Sequence, residues 1–148
     1  MGNIHTFTSH VRPRFGCVSA ALGSETSIAD TKETAEYVDM RNYDLVVFQG
    51  IASAVKSGST VTLKIYEATS TAGAGSQSMT HASASDTMLS TNATDTDILV
   101  CQVRGEDLSS GYRYVGAQIS TNDATGTEKV GVVINQMRAR YKQATLPA

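Results

Sequence analysis

The run Thr60-Val61-Thr62-Leu63-Lys64-Ile65-Tyr66-Glu67 alternates polar and apolar residues without a break, and this narrows the fold more than any other feature. Period-two alternation puts Val61, Leu63 and Ile65 on one face of a strand and Thr62, Lys64 and Tyr66 on the other. A slip of one residue would turn all three aliphatics outward, so the core fixes the register. Residues 96–104 repeat the pattern, with Ile98, Val100 and Gln102 on one face and Leu99, Cys101 and Val103 on the other. Residues 44–52 open on the continuous run Leu45-Val46-Val47-Phe48, which predicts a central strand buried on both faces, Val47 included. Residues 112–120 and 129–138 flank the turn cluster Thr121-Asn122-Asp123-Ala124-Thr125-Gly126-Thr127, and the pattern predicts an antiparallel pair near the end of a sheet. Strands at such spacings predict an all-β fold, an antiparallel β-sandwich of jelly-roll-like form.

A chain of 148 residues fits one domain that buries roughly 68–70% of its unfolded surface, enough for a core without metals or disulfides. Charged residues make up only 18%, and Ser, Thr, Ala and Gly take their place, which favours strands and tight loops over surface helices. A net charge of -2 supplies no field that would draw nucleic acid or an anionic membrane, so neither is expected as a partner. No apolar run approaches the ~20 residues of a membrane-spanning helix, and no apolar signal-peptide core opens the chain. Synthesis in the cytoplasm is the expectation, with Cys17 and Cys101 as small buried hydrophobes and not a disulfide.

Residues 1–37 show no sustained periodicity and are interrupted by Pro13, Gly16 and Gly23, so they read as an N-terminal arm that a neighbouring subunit could order. Within it, residues 29–36 could form a helical turn or residues 31–38 a strand, and the strand is preferred. The sandwich is expected over 38–141, with a tail over 142–148. Residues 68–94 read as one long polar connection in which Met79, Met88 and Leu89 are the only large apolar side chains.

Catalytic chemistry finds little to work with. His5, His10 and His81 fall in the arm or the long connection, away from the scaffold that would hold a base. No Cys or clustered carboxylate completes a metal set with them, and Asp95, Asp97, Asp123 and Glu128 read as turn residues. The expectation is a protein that is not an enzyme and carries no cofactor. Its candidate contact residues are the basic positions near the two ends, Arg12, Arg14, Arg138 and Arg140, with the aromatic Tyr112, Tyr114 and Tyr141.

Four segments resemble a family. Val38-Asp39-Met40-Arg41-Asn42-Tyr43-Asp44-Leu45-Val46-Val47-Phe48 is similar to the opening of small β-sandwich virion proteins of tailed bacteriophages, with Asn42 in place of a usual Gly. Val61-Thr62-Leu63-Lys64-Ile65-Tyr66-Glu67 before a Ser/Thr/Gly loop, Arg113-Tyr114-Val115-Gly116-Ala117, and the closing run 130–140 with its basic end resemble later elements of the same proteins. The resemblance implies a head decoration, or cement, protein on the outside of the mature capsid, bridging and stabilising capsid subunits. Its implied partners are the major capsid protein and itself, as a homotrimer. The alternative is a carbohydrate- or receptor-binding module of a phage tail or head fibre.

Overall fold

The structure, a computed structural model, describes residues 11–19, 37–91, 95–122 and 129–139. Nine strands are described: β1 (Val11–Ser19), β2 (Val38–Asp39), β3 (Tyr43–Val55), β4 (Thr60–Ala68), β5 (Gln77–Ser78), β6 (Ser85–Leu89), β7 (Asp95–Arg104), β8 (Tyr114–Thr121) and β9 (Lys129–Ala139). They form two antiparallel sheets, one in the order β1-β9-β3-β7 and one in the order β2-β8-β4-β5, with β6 also paired to β4. The fold is an antiparallel β-sandwich.

Alternation decides what fills the space between the sheets. Val46, Phe48 and Ala52 of β3, Leu99, Cys101 and Val103 of β7, and Val130, Val132 and Ile134 of β9 face inward from the first sheet. Val61, Leu63 and Ile65 of β4 and Val115, Ala117 and Ile119 of β8 meet them from the second, all buried. At Gly50 the sheets come so close that a β-carbon would touch Ile119 Cδ1 and Leu63 Cδ2 at 3.4 Å. Burial of this many aliphatic side chains, at about 1.5–3 kcal/mol each, is the dominant stabilising term.

Sequential strands here usually change sheet instead of pairing, and this overturns several expectations. β8 pairs with β2 and β4, whereas β9 pairs with β1 and β3, so the last two strands lie in different sheets and do not form a hairpin. β3 and β4 likewise lie in different sheets. Between them, a β-bulge after Ala52 puts Ala54 at φ +56°, and Gly58 takes φ +84° in the turn where Ser59 N–H donates to the Lys56 carbonyl. Residues 11–19, expected as part of an arm, form an edge strand of the first sheet, in register with β9 from Val11↔Met137 to Ser19↔Val130. Of the preferred strand over 31–38, only Tyr37, which lies in a bend, and Val38, within β2, are described; residues 20–36 lie outside the described residues. The expected long loop contains β5, β6 and a 3-10 turn at Ala82–Ala84, and it buries Met79 and Met88 against the core while Leu89 is exposed.

β3 is the central strand, but only one of its faces is sealed. Val46 and Phe48 are fully buried, whereas Leu45, Val47 and Gln49 are half-buried and Ile51 is exposed. Val47 is therefore an outward residue.

Candidate interaction surfaces

The topology splits the residues singled out from the sequence into two groups. Arg12 and Arg14 lie opposite Gln136 and Ile134, on the strand next to the one that carries Arg138. Arg140 and Tyr141 lie outside the described residues, as does the tail. Tyr112 and Tyr114, both half-buried, stand at the start of β8 in the other sheet. Among the described residues, the strands that carry Arg12, Arg14 and Arg138 belong to one sheet and the strand that Tyr114 opens belongs to the other.

Arg113, between the two tyrosines, is committed to holding the fold together. Its Nε donates to Asp39 Oδ1 at 2.7 Å, its Nη2 donates to Asp39 Oδ2, and its guanidinium lies 4.8 Å from the centre of the Tyr114 ring. The fork-shaped contact ties β2 to β8 next to the paired backbone of Val38 and Val115. Burial alone would raise the Asp39 carboxyl, but the Arg113 hydrogen bond, the Arg41 backbone N–H and the two guanidinium charges outweigh it and hold the carboxyl below its ordinary 3.8. Beside this clasp, the buried Tyr37 ring lies against Gly116 and Gly73, where β-carbons would approach it to 3.0 and 2.9 Å. Tyr66, half-buried on the outward face of β4, donates its hydroxyl to Gln118 Oε1. The aromatic end of the second sheet is largely occupied by its own contacts.

The outer face of the first sheet is different. Ile51 and Ile98 form a cross-strand pair, 44% and 57% exposed, with Val100, 47% exposed, one step along β7 opposite Gln49. Val47 lies opposite Gln102 and Leu45 opposite Arg104, and Val133 and Met137 extend the apolar face onto β9. At its centre Asn135 Nδ2 donates to Gln49 Oε1 at 2.8 Å, so the two amides satisfy each other. Between Arg104 at one end and Lys129 at the other, these rows carry no charge. Ile51, Ile98 and Val100 are three of the four large hydrophobic side chains exposed among the described residues.

The neighbouring edge is closed. β7 ends the sheet, yet Ile98 N–H donates to Asp97 Oδ1, Val100 N–H to Asp86 Oδ2 and Arg104 N–H to Asp107 Oδ2, at 2.8, 2.8 and 2.7 Å. Carboxylates occupy donors that an added strand would need, and a carboxylate row also repels a second edge. Sequence reading assigned no role to Asp86 or Asp107; their partners are backbone groups of another strand or turn, which periodicity does not reveal.

A polar cleft of about 430 Å³ opens between the β4–β5 hairpin and the turn after β7, lined by Glu67, Gln77, Met79, His81, Asp107 and Ser109 among others. Glu67 is buried and accepts from Gln77 Nε2 at 2.6 Å and Ser109 N–H at 2.8 Å. His81 Nδ1 accepts from Ser83 N–H at 3.3 Å, and Nε2 stands 3.6 Å from Asp107 Oδ1. These contacts lock the hairpin to the turn. Among the described residues no group of three metal-ligating side chains exists, and no helix is long and apolar enough to cross a membrane.

Comparison of the sequence with protein-family models and with curated proteins finds no match. Solved structures do share the architecture. The VP2 subviral particle of infectious bursal disease virus superposes over 87% of this chain with a TM-score of 0.50 at 9% identity, and this chain spans 32% of that one. The globular domain of zebrafish complement 1qA covers 90% of this chain and 99% of its own, at a TM-score of 0.44 and 13% identity. The carbohydrate-binding and catalytic modules of Clostridium thermocellum xylanase 10B match 89% of this chain and 27% of their own, at 0.44 and 8%. The chain thus spans about a third of the viral protein's length, and what the two share is the fold, a jelly-roll-like β-sandwich.

Proposed function

We propose that this chain is a virion structural protein of a tailed bacteriophage, a decoration protein that binds the outside of the mature head and bridges capsid subunits. The observation that carries the reading is the exposed apolar face of β3, β7 and β9 on a rigid sandwich, with the adjacent strand edge capped by carboxylates. Such a body contacts a partner through a face. A protein that binds only the expanded lattice stabilises that state by mass action, and many copies on one lattice add avidity. The major capsid protein is the partner, and the capsid exterior is the location. Self-association, as the homotrimer that the resemblance implies, raises avidity in the same way. Purified protein added to stripped shells should co-sediment with expanded shells and not with unexpanded ones. Equal binding to both, or to neither, contradicts the reading.

The polar cleft beside Glu67 supports a second reading, a carbohydrate- or receptor-binding module. Retention on immobilised glycans or host cells, lost in Gln77→Ala, would favour it over the first.

A further inference from the structure

We propose that the polar cleft beside Glu67 takes an arginine side chain presented by a partner protein. Three ionisable groups line it, Glu67, Asp107 and His81, and no lysine or arginine does. Glu67 continues the inward row of β4 two residues beyond Ile65 and is 2% exposed. A carboxylate at that depth is ordinarily paired with a cation. Here its hydrogen bonds come from neutral donors, Gln77 Nε2 on Oε1 and Ser109 N–H on Oε2, so each oxygen can accept one more. Asp107 is similarly placed. Its Oδ2 accepts from Arg104 N–H, while Oδ1 has only His81 Nε2 at 3.6 Å, beyond hydrogen-bond reach. Exposure rises from Glu67 through the Asp107 side chain, at 15%, to that of His81, at 45%, so the carboxylates lie deep and the imidazole stands at the rim. The guanidiniums of neighbouring segments are turned elsewhere: Arg113 holds Asp39, and Arg104 reaches Glu106. Among the described residues, no cation answers the two carboxylates.

The cation that fits is organic. A metal ion would find no set of three ligating side chains among the described residues, whereas about 430 Å³ falls within the roughly 300–1,000 Å³ of sites for small organic groups. A guanidinium brings five donors in a fixed plane to acceptors on two walls, against three on an ammonium. It also sheds water more readily, which matters where the anion is buried. Met79, buried and lining the same cleft, gives the aliphatic stem an apolar wall. A neutral sugar could meet the hydrogen bonds but would leave both charges unanswered. The inference rests on the second reading's use of this cleft as a binding site, and not on the decoration role.

Amide NMR of the nitrogen-15-labelled full chain, titrated with N-acetyl-arginine amide, tests this with no shell or glycan present. Saturable shifts of the Ser109 amide and of those from Gln77 to His81 are expected, with Kd on the order of 1 mM. N-acetyl-citrulline amide, the uncharged analogue, should bind at least about tenfold more weakly, a comparison that needs no variant. Asp107→Asn, which keeps an acceptor for Arg104 N–H, should weaken arginine binding about tenfold and still unfold cooperatively. Equal binding of the citrulline compound, no saturable shift up to about 20 mM, or an affinity unchanged in Asp107→Asn overturns the inference. So does binding of agmatine without binding of the blocked arginine, which would make the ligand a free small molecule and not a side chain. Retention on a neutral glycan, lost in Gln77→Ala, with no response to arginine would overturn this inference and leave the second reading standing. A cleft that answers neither probe removes both.

Discussion

Cys101 lies on the inner face of β7, fully buried, with its sulfur 3.5 Å from the Leu63 carbonyl oxygen. Burial, and then the charge of Asp86, push its thiol up to about 12 from an ordinary 9.0. The folded state therefore keeps this proton to higher pH than the unfolded state does. The associated stability is full below the unfolded value and is lost as pH rises through about 12. Urea midpoints should fall on going from about pH 8 to about pH 10.5, and Cys101→Ala should flatten that fall. Ile65 and Val47 separate the two faces just as sharply. Ile65→Asp buries an unpaired carboxylate, several kcal/mol against a total stability of roughly 5–15, and should yield no cooperatively folding protein. Val47→Asp, on the half-open outer face, should fold with a loss of about 1 kcal/mol by urea titration. The inward set of β4 and β7 was legible because those strands alternate. Val47 was not, because in an unbroken apolar run the outward residues look like the inward ones.

At the level of whole strands, β1 was hidden by the two residues that fit it to its place. Pro13 donates no backbone hydrogen bond and is tolerated on an edge strand, and Gly16 falls at the register shift between Phe15 and Cys17. In sequence the pair looks like breakers in an arm. Since β1 runs along β9 for its full length, deleting residues 2–19 should cost at least about 2 kcal/mol and lower Tm by roughly 5–10 °C in scanning calorimetry. An unchanged transition would mean that the sheet does not need its edge. β5 and β6 are two and five residues long, too short to carry a periodic signal, and were lost in a Ser/Thr-rich stretch. The β8–β9 crossing was missed for another reason. The pattern of a strand gives its faces, and the partner beside it is chosen by which sheet needs those faces.

Taken as a whole, the molecule is a rigid sandwich with one apolar outer face, closed carboxylate caps on the β7 edge, and a nearly balanced charge. The all-β architecture was legible from alternation, and the exposed apolar face was not: it is made by pairing Ile51 with Ile98 across strands about fifty residues apart in sequence. A largely apolar contact predicts only moderate weakening with salt, and removing Arg138, Arg140 and Lys142 together should reduce the salt-sensitive part alone. The most direct test of the decoration role is calorimetry of mature shells with the protein, stripped of it, and reconstituted. The account predicts a higher disruption temperature with the protein, lost on stripping and recovered on adding it back. Shells that disrupt at the same temperature in all three states would contradict it.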